Sequence, residues 1–122
     1  MKPKFDPALP IYTQIMDWLK RLILGGRLRP GEKVPPVREL ALQLGVNPNT
    51  LQRAMSELER EGLLYTERTA GRFVTEDSAL IASLREELIR QVVGGFLEEV
   101  RALGYEPAEA ERLIKKYGGE TE

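Results

Sequence analysis

The amino-acid sequence predicts a mainly α-helical protein with one small β-hairpin. In five stretches, apolar residues recur at intervals of three and four, the spacing that places side chains on one face of a helix. Two short β-prone runs, L-L-Y-T-E-R and R-F-V-T, follow the third stretch and are separated by Thr69-Ala70-Gly71, which predicts a hairpin. Glycine and proline residues lie at the ends of these stretches, so the helix boundaries can be predicted as well.

The first two helices are marked by where their apolar stripes stop. One stripe begins at Ile11 and is ended by Gly25-Gly26. The segment L-R-P-G-E-K-V-P-P that follows is dense in proline and glycine, so we expect a turn with at most a short strand near Lys33-Val34. A second, short helix then runs from Val37 to Leu44 and ends at Gly45.

The third helix has a sharp predicted start. Asn47 is a good N-cap, and Pro48 fits the first helical position, where its missing N–H costs nothing. The expected buried face holds Leu51, Ala54, Met55 and Leu58, and the outward face holds Asn49, Gln52, Arg53 and Ser56. Three helices and a hairpin, with one short turn between the second and third helices, is the order of a winged helix-turn-helix.

A longer fourth helix is predicted after Asp77, a plausible N-cap. Gly94-Gly95 lies in its middle, which indicates a kink or a close crossing of another backbone. Gly104 ends this helix, and Pro107 starts a final short one.

The apolar stripe of the fourth helix is too wide for that helix to bury on itself. It could fold back on its own domain, but in so small a chain a subunit interface is the better interpretation. We therefore expect a winged helix-turn-helix over residues 1–75 and a two-helix dimerisation module over residues 76–122. The candidate dimer-interface residues are Leu84, Leu88, Val92, Phe96 and Val100.

The composition narrows the possible functions. The 122 residues include no cysteine and no histidine, which removes disulfides, thiolate metal sites and the commonest general base. We therefore expect no catalytic residues, no metal and no cofactor, and an enzyme is remote. No apolar run approaches the roughly 18 residues that span a bilayer, and the N-terminus lacks the apolar segment of a signal peptide, so we expect a soluble cytoplasmic protein without membrane contact.

The charges are distributed unevenly along the chain. Residues 1–75 carry 12 Lys/Arg against 8 Asp/Glu, a net of +4, and residues 76–122 carry 6 against 11, a net of −5. Within the third helix, no acidic residue occurs from Val46 to Ser56, yet Glu57, Glu59 and Glu61 crowd its last turns. A helix dipole favours the opposite placement. The pattern is explained if the first half of this helix enters the DNA major groove, where a carboxylate would face the phosphates.

This interpretation gives a set of DNA-contact candidates. Asn and Gln can pair bidentately with adenine, and Arg with guanine. On the third helix the candidates are Asn47, Asn49, Thr50, Gln52 and Arg53. Arg38 near the start of the second helix, and Arg68 and Arg72 flanking the hairpin tip, would surround that helix with positive charge. Gly71 in the wing is a further candidate for contact with DNA.

The span P-I-Y-T-Q-I…G-R-L-R-P-G-E-K-V-P-P-V-R-E-L-A-L-Q-L-G-V-N-P-N-T-L-Q-R-A-M-S-E-L-E-R-E-G-L-L…G-R-F-V resembles the DNA-binding domain of GntR-family transcriptional regulators over roughly residues 10–75. The V-N-P-N-T form and the short C-terminal part resemble the YtrA-like branch. This resemblance implies a short helical dimerisation module and the regulation of transporter operons. Carried over by position, it implies DNA contacts at Arg38 and at the same five third-helix residues.

Two departures from the family pattern concern base and wing contacts. Many family members have arginines where this chain has Pro48 and Gln52, so the resemblance does not imply those arginines' particular base contacts for this chain. The wing motif G-x-G-T-F-V appears as T-A-G-R-F-V, so that only Gly71 keeps the glycine pattern while Arg72 adds a charge.

Several of these residues also have structural interpretations. Arg38 could form a solvated pair with Glu39, and Arg68 and Arg72 could guard the edges of the sheet. The Asn-Pro-Asn-Thr run from Asn47 could be purely a helix cap, but we expect a dual role, in which Asn47 caps the helix and the run also contacts DNA. Tyr12 and Trp18 are expected to be core residues. The expected partners are double-stranded DNA and a second copy of the chain, with a possible small-molecule effector of unknown identity. The expected function is a homodimeric, sequence-specific DNA-binding transcriptional regulator, a repressor that binds a pseudo-palindromic operator. The alternative function is a protein-interaction module on a winged-helix scaffold.

Overall fold

The computed structural model describes residues 3–119 and confirms the mainly α fold with a small β-wing. The elements are α1 (Ile11–Leu24), α2 (Val37–Leu44), α3 (Pro48–Arg60), β1 (Leu64–Glu67), β2 (Gly71–Val74), α4 (Ser78–Ala102), a 3-10 turn (Pro107–Glu109) and α5 (Ala110–Gly118). The chain forms two compact units, of which the first ends at Arg85 and the second begins at Glu86.

The turn between α2 and α3 is fixed by its end residues. Gly45 has a φ of 71°, the left-handed conformation that favours glycine, and it ends α2 as expected. The Asn47 side chain accepts a hydrogen bond from the Asn49 backbone N–H at 2.7 Å, so Asn47 is the N-cap of α3. Only Gly45, Val46 and Asn47 separate the two helices, as the helix-turn-helix prediction requires.

The core of the first unit is built around α3. Its inner face holds the predicted Leu51, Ala54, Met55 and Leu58, all at most 1% exposed. This face packs mainly against α1, whose Ile15 and Ile23 are equally buried. The outward face of α3 is thereby directed away from the core.

The wing has a third backbone segment besides its two strands. β1 and β2 pair antiparallel from Leu64↔Val74 to Glu67↔Gly71. Lys33 forms an isolated bridge with Phe73, and the Val34 backbone N–H donates to the Arg72 carbonyl at 2.8 Å. The short strand expected near Lys33-Val34 is therefore a bridge that ties the α1–α2 connection to β2.

The first turns of α4 belong to the winged unit. Asp77 caps α4 by accepting from the Leu80 backbone N–H at 3.0 Å, and Ile81 is 5% exposed. The Arg85 Nε donates to the Leu24 carbonyl at the end of α1, at 2.7 Å. These contacts explain why the boundary between the units lies inside α4, ten residues beyond the 75/76 boundary expected from the sequence.

The second unit consists of the remainder of α4, the 3-10 turn and α5. Glu106 and Glu109 form a capping box, and the backbone N–H of Glu106 lowers the pKa of Glu109, with a further contribution from Arg112.

An apolar groove of about 510 Å³ lies in the second unit. It is lined by Val92, Val93, Phe96, Leu97, Ala110, Glu111 and Ile114. Helix α4 runs unbroken through Gly94 and Gly95. Apart from the adjacent backbone of α4 itself, no atom of residues 3–119 comes within 4 Å of a Cβ built at either glycine, so no other backbone segment crosses there within one subunit. None of the helices in the described part is long and apolar enough to cross a membrane.

A pair of leucines in the helix-turn-helix tests the core. We expect Leu51→Ala on α3 to lower the free energy of unfolding by about 2–5 kcal/mol, because its side chain is fully buried and leaves a cavity. Leu42 on α2 is 84% exposed, so Leu42→Ala should change it by no more than about 0.5 kcal/mol. Urea denaturation of both variants measures this, and equal losses would contradict the assigned packing.

Candidate nucleic-acid interface

The start of α3 is accessible from outside the protein. Asn47, Pro48 and Asn49 are exposed, and Thr50 is half-buried. The Asn47 side-chain oxygen is occupied as the cap, which leaves its amide N–H groups available to an outside acceptor. Asn47 is thus a cap whose remaining donors are still accessible, as the dual role expected from the sequence requires.

The next turn of α3 presents Gln52 and Arg53, both exposed. The Gln52 Nε2 donates to the Ser56 hydroxyl at 3.1 Å, so its side-chain oxygen remains available. The Arg53 guanidinium lies over the Tyr12 ring, 3.9 Å from the ring centroid. Tyr12, which was expected to be a core residue, is half-buried and carries an arginine of α3 on its face.

Arg38 is exposed at the start of α2 and makes no ion pair or side-chain hydrogen bond with residues 3–119. The solvated pair with Glu39 that the sequence allowed is therefore not formed. An arginine without a carboxylate partner keeps all its donors for an external anion.

The three glutamates at the far end of α3 are all engaged within the protein. Glu57 pairs with Arg60 at 3.4 Å, and Glu61 pairs with Lys20 of α1 at 3.2 Å. Glu59 accepts a hydrogen bond from the Thr66 hydroxyl of β1 at 3.1 Å. The acidic end of α3 thus contacts α1 and the wing, whereas the acid-free end faces outward.

The two wing arginines have different environments. Arg68 lies exposed at the hairpin tip, and it has no ion pair or hydrogen bond among the described side chains. The Arg72 side chain is only 17% exposed. Its Nη1 lies 3.1 Å from the Met55 sulfur, and its Nε lies 3.4 Å from the Glu59 carboxylate without hydrogen-bond geometry. The structure turns Arg72 toward α3, a position that corresponds to neither of the two roles expected for it, contact with DNA and protection of a sheet edge.

Lys33 is a wing residue that the sequence reasoning missed. It is exposed, and its Cε lies 3.0 Å from the position a Cβ would take at Gly71. Gly71 has a φ of 116°, so both the backbone conformation and the space beside Lys33 favour glycine there. The short strand expected at Lys33-Val34 was the one sequence signal that pointed to this segment. The spacing of residues along the chain could not show that the segment pairs with β2, so Lys33 was not placed beside the wing.

The candidate dimer-interface residues do not share one environment. Val92 and Phe96 are 44% and 41% exposed and line the apolar groove. Leu84 is half-buried within the first unit, and Leu88 is half-buried in the second. Val100 is only 8% exposed, so its side chain already packs within its own subunit and is not presented to a partner.

The helix-turn-helix, the acid-free exposed half of α3 and the adjacent hairpin define a winged helix-turn-helix DNA-binding protein. Residues 11–74 match the bacterial regulatory proteins of the gntR family. The chain belongs to this family, a class of DNA-binding transcriptional regulators and not of enzymes, which confirms the resemblance seen in the sequence.

Known relatives and structures resemble the chain over nearly its whole length. It is 39% identical over 117 residues to the HTH-type transcriptional regulator YhcF of Bacillus subtilis (strain 168), covering 96% of this chain and 97% of YhcF. It is 33% identical over 121 residues to the HTH-type transcriptional repressor YtrA of the same organism, covering 97% and 93%. A GntR family transcriptional regulator from Listeria monocytogenes superimposes with a TM-score of 0.84 at 38% identity, covering 92% of this chain and 98% of that one.

Several similar structures contain operator DNA, and one of them illustrates the extent of the match. The DNA-binding domain of AraR in complex with operator ORR3 has a TM-score of 0.52 and 33% identity, and the match covers 62% of this chain and 88% of that one.

The inward position of Arg72 gives a testable difference between the two wing arginines. We expect Arg72→Met to lower the free energy of unfolding by about 1 kcal/mol, because Glu59 loses its cationic neighbour. Arg68→Met, the matched control, should change it by no more than about 0.5 kcal/mol, since Arg68 has no partner to lose. Urea denaturation would refute the assignment if the two variants were equally stable.

Proposed function

We propose that the chain is a homodimeric repressor that binds a pseudo-palindromic operator through α3 and the wing, and that it controls a transporter operon. The main observation behind the proposed DNA-binding surface is that the N-terminal half of α3 is exposed and contains no acidic residue. The acidic residues at the other end of the helix form ion pairs within the protein. The repressor assignment is supported by the similarity to YtrA, and the transporter assignment by the resemblance to the YtrA-like branch.

In the proposed complex, the N-terminal turns of α3 lie in the major groove. Asn49, Gln52 and Arg53 project hydrogen-bonding groups from the exposed face, and these side-chain types can read adenine and guanine edges. Asn47 and Thr50 lie at the helix start, where side-chain donors and the positive end of the helix dipole can meet a phosphate. Asn49, Gln52 and Arg53 would thus supply sequence discrimination, whereas Asn47 and Thr50 would help to position the helix.

The flanking cations supply the phosphate contacts. Arg38 on α2, Arg68 at the wing tip and Lys33 beside Gly71 are exposed and have no carboxylate partner within residues 3–119. Each neutralised phosphate adds about −0.9 to the slope of log affinity against log salt. We expect affinity to fall steeply with ionic strength, which a module that binds only protein would not require.

Dimerisation is assigned to the second unit. Ile89, Val92, Val93, Phe96 and Ile114 are each between 41% and 54% exposed, a density of apolar surface that usually marks an interaction site. The absence of side chains at Gly94 and Gly95 leaves open space along the same helix, so a partner helix could approach closely. A two-fold symmetric pair of α3 helices would then address two half-sites.

Selection from a random duplex library at near-physiological salt tests the function. We expect enrichment of a two-fold symmetric site, followed by a steep salt dependence when that duplex is titrated. A folded, dimeric protein that enriches no motif would overturn operator binding and favour the protein-interaction alternative.

Arg38 provides a direct test of the phosphate contacts. We expect Arg38→Ala to weaken operator binding by about 1–3 kcal/mol without loss of stability, because the side chain is exposed and unpaired in the free protein. Arg60→Ala is the matched control, since Arg60 lies at the opposite end of α3 and is also exposed. Fluorescence anisotropy at fixed salt should show a loss only for Arg38→Ala, and equal affinities would remove Arg38 from the interface.

The dimer is tested on the exposed stripe of α4. We expect Phe96→Glu to convert the dimer to a monomer, because it places a charge in the apolar groove. Gln91→Glu adds the same charge at an exposed position outside the groove and should leave the dimer intact. Sedimentation equilibrium measures both. A dimeric Phe96→Glu variant would place the interface elsewhere, and a chain cut after Arg85 would then show whether the winged unit itself dimerises.

A further inference from the structure

We propose that Tyr12 is a positioning residue for DNA recognition, which holds the Arg53 guanidinium in the orientation that reads the operator. This inference rests on the proposed function, because it assigns a role to a residue outside the helix-turn-helix in shaping the same interface. Tyr12 lies in the first turn of α1, and Arg53 lies on the outward face of α3.

The contact between them is a close cation–π stack. The Arg53 guanidinium carbon lies 3.9 Å from the centroid of the Tyr12 ring, well inside the roughly 6 Å within which the ring quadrupole attracts a cation. Tyr12 is half-buried on α1, the helix that packs against α3. One face of the guanidinium is therefore covered by an aromatic ring that belongs to a neighbouring helix.

The stack leaves the hydrogen-bonding capacity of Arg53 unused. A guanidinium stacks through its face, whereas its five N–H donors lie in its plane and point outward from its edge. Among residues 3–119, Arg53 has no ion pair and no side-chain hydrogen bond. An arginine that is oriented but unsatisfied is suited to bind the paired acceptors of guanine or a phosphate.

The environment of Arg53 differs from that of Arg72, the wing arginine whose side chain is directed toward α3. Arg72 lies beside a carboxylate and is mostly buried, so its charge is used within the fold. Arg53 lies in the stretch from Val46 to Ser56 that contains no acidic residue, so Tyr12 orients it without neutralising it. A neutral aromatic support keeps the full positive charge available to DNA.

Holding Arg53 in place before DNA binds should raise the affinity for the operator. Immobilising a long side chain on binding has an entropic cost, and that cost is smaller when the stack on Tyr12 already restricts the side chain in the free protein. We expect Tyr12→Leu to weaken operator binding about three- to tenfold, whereas Tyr12→Phe, which keeps the ring, should remain within about twofold.

A double-mutant cycle on the operator obtained by selection tests this directly. Tyr12→Leu should weaken binding in the wild-type background and have no effect in the Arg53→Ala background, since the arginine it positions is gone. Trp18→Leu is the matched control, because Trp18 is another half-buried aromatic of α1, and its effect should be the same in both backgrounds. Equal losses for Tyr12→Leu in both backgrounds would overturn the inference, and so would a Tyr12→Phe variant as weak as Tyr12→Leu.

The stack can also be observed without DNA. The Arg53 Nε–H resonance of the full chain should carry a ring-current shift that persists in Tyr12→Phe and disappears in Tyr12→Leu. A wild-type chain that binds no duplex would refute the proposed function whatever that resonance shows. A chain that binds its operator without the predicted coupling would refute the role of Tyr12 alone.

Discussion

The burial of one face of α3 determines the arrangement of the rest of the winged unit. Leu51, Ala54, Met55 and Leu58 are removed from solvent against α1, and the helical period then sends the residues between them outward. A rotation of α3 about its axis would expose leucine and bury asparagine, glutamine or arginine, each at a cost of kilocalories. The direction of the outward face of α3 is thus a consequence of core packing and does not depend on DNA.

The charged residues of α3 are also distributed unevenly along the helix axis. The helix dipole disfavours glutamates near a C-terminus, yet three of them occur there. Each has a nearby compensating cation, namely Arg60 for Glu57, Arg72 for Glu59 and Lys20 for Glu61. The last two pairs join α3 to the wing and to α1. The acidic end therefore helps to hold neighbouring elements, and the other end stays free of negative charge.

The sequence predicted what depends on local rules. Helix ends at Gly45, Asn47 and Gly104 follow from backbone conformation and capping, and they occur where expected. Contacts between distant segments have no periodicity from which they could be predicted. Lys33 beside Gly71 and Arg85 on the Leu24 carbonyl depend on how the elements pack. Arg72 shows the limit most clearly, since alternation along β2 does not reveal that a long side chain turns back to Met55 and Glu59.

The uneven distribution of charge along the chain is consistent with DNA binding by the first unit and dimerisation by the second, as proposed. A net charge of −1 would suggest weak attraction to DNA, but the phosphates respond to the charges that face them and not to the molecular total. The basic excess belongs to residues 1–75, and the acidic excess to residues 76–122. An acidic second unit is repelled by phosphates, so it disfavours contact with DNA through the surface of that unit. In the proposed dimer, the same acidity would limit association with DNA of arbitrary sequence and leave the base contacts of α3 to decide where the protein binds.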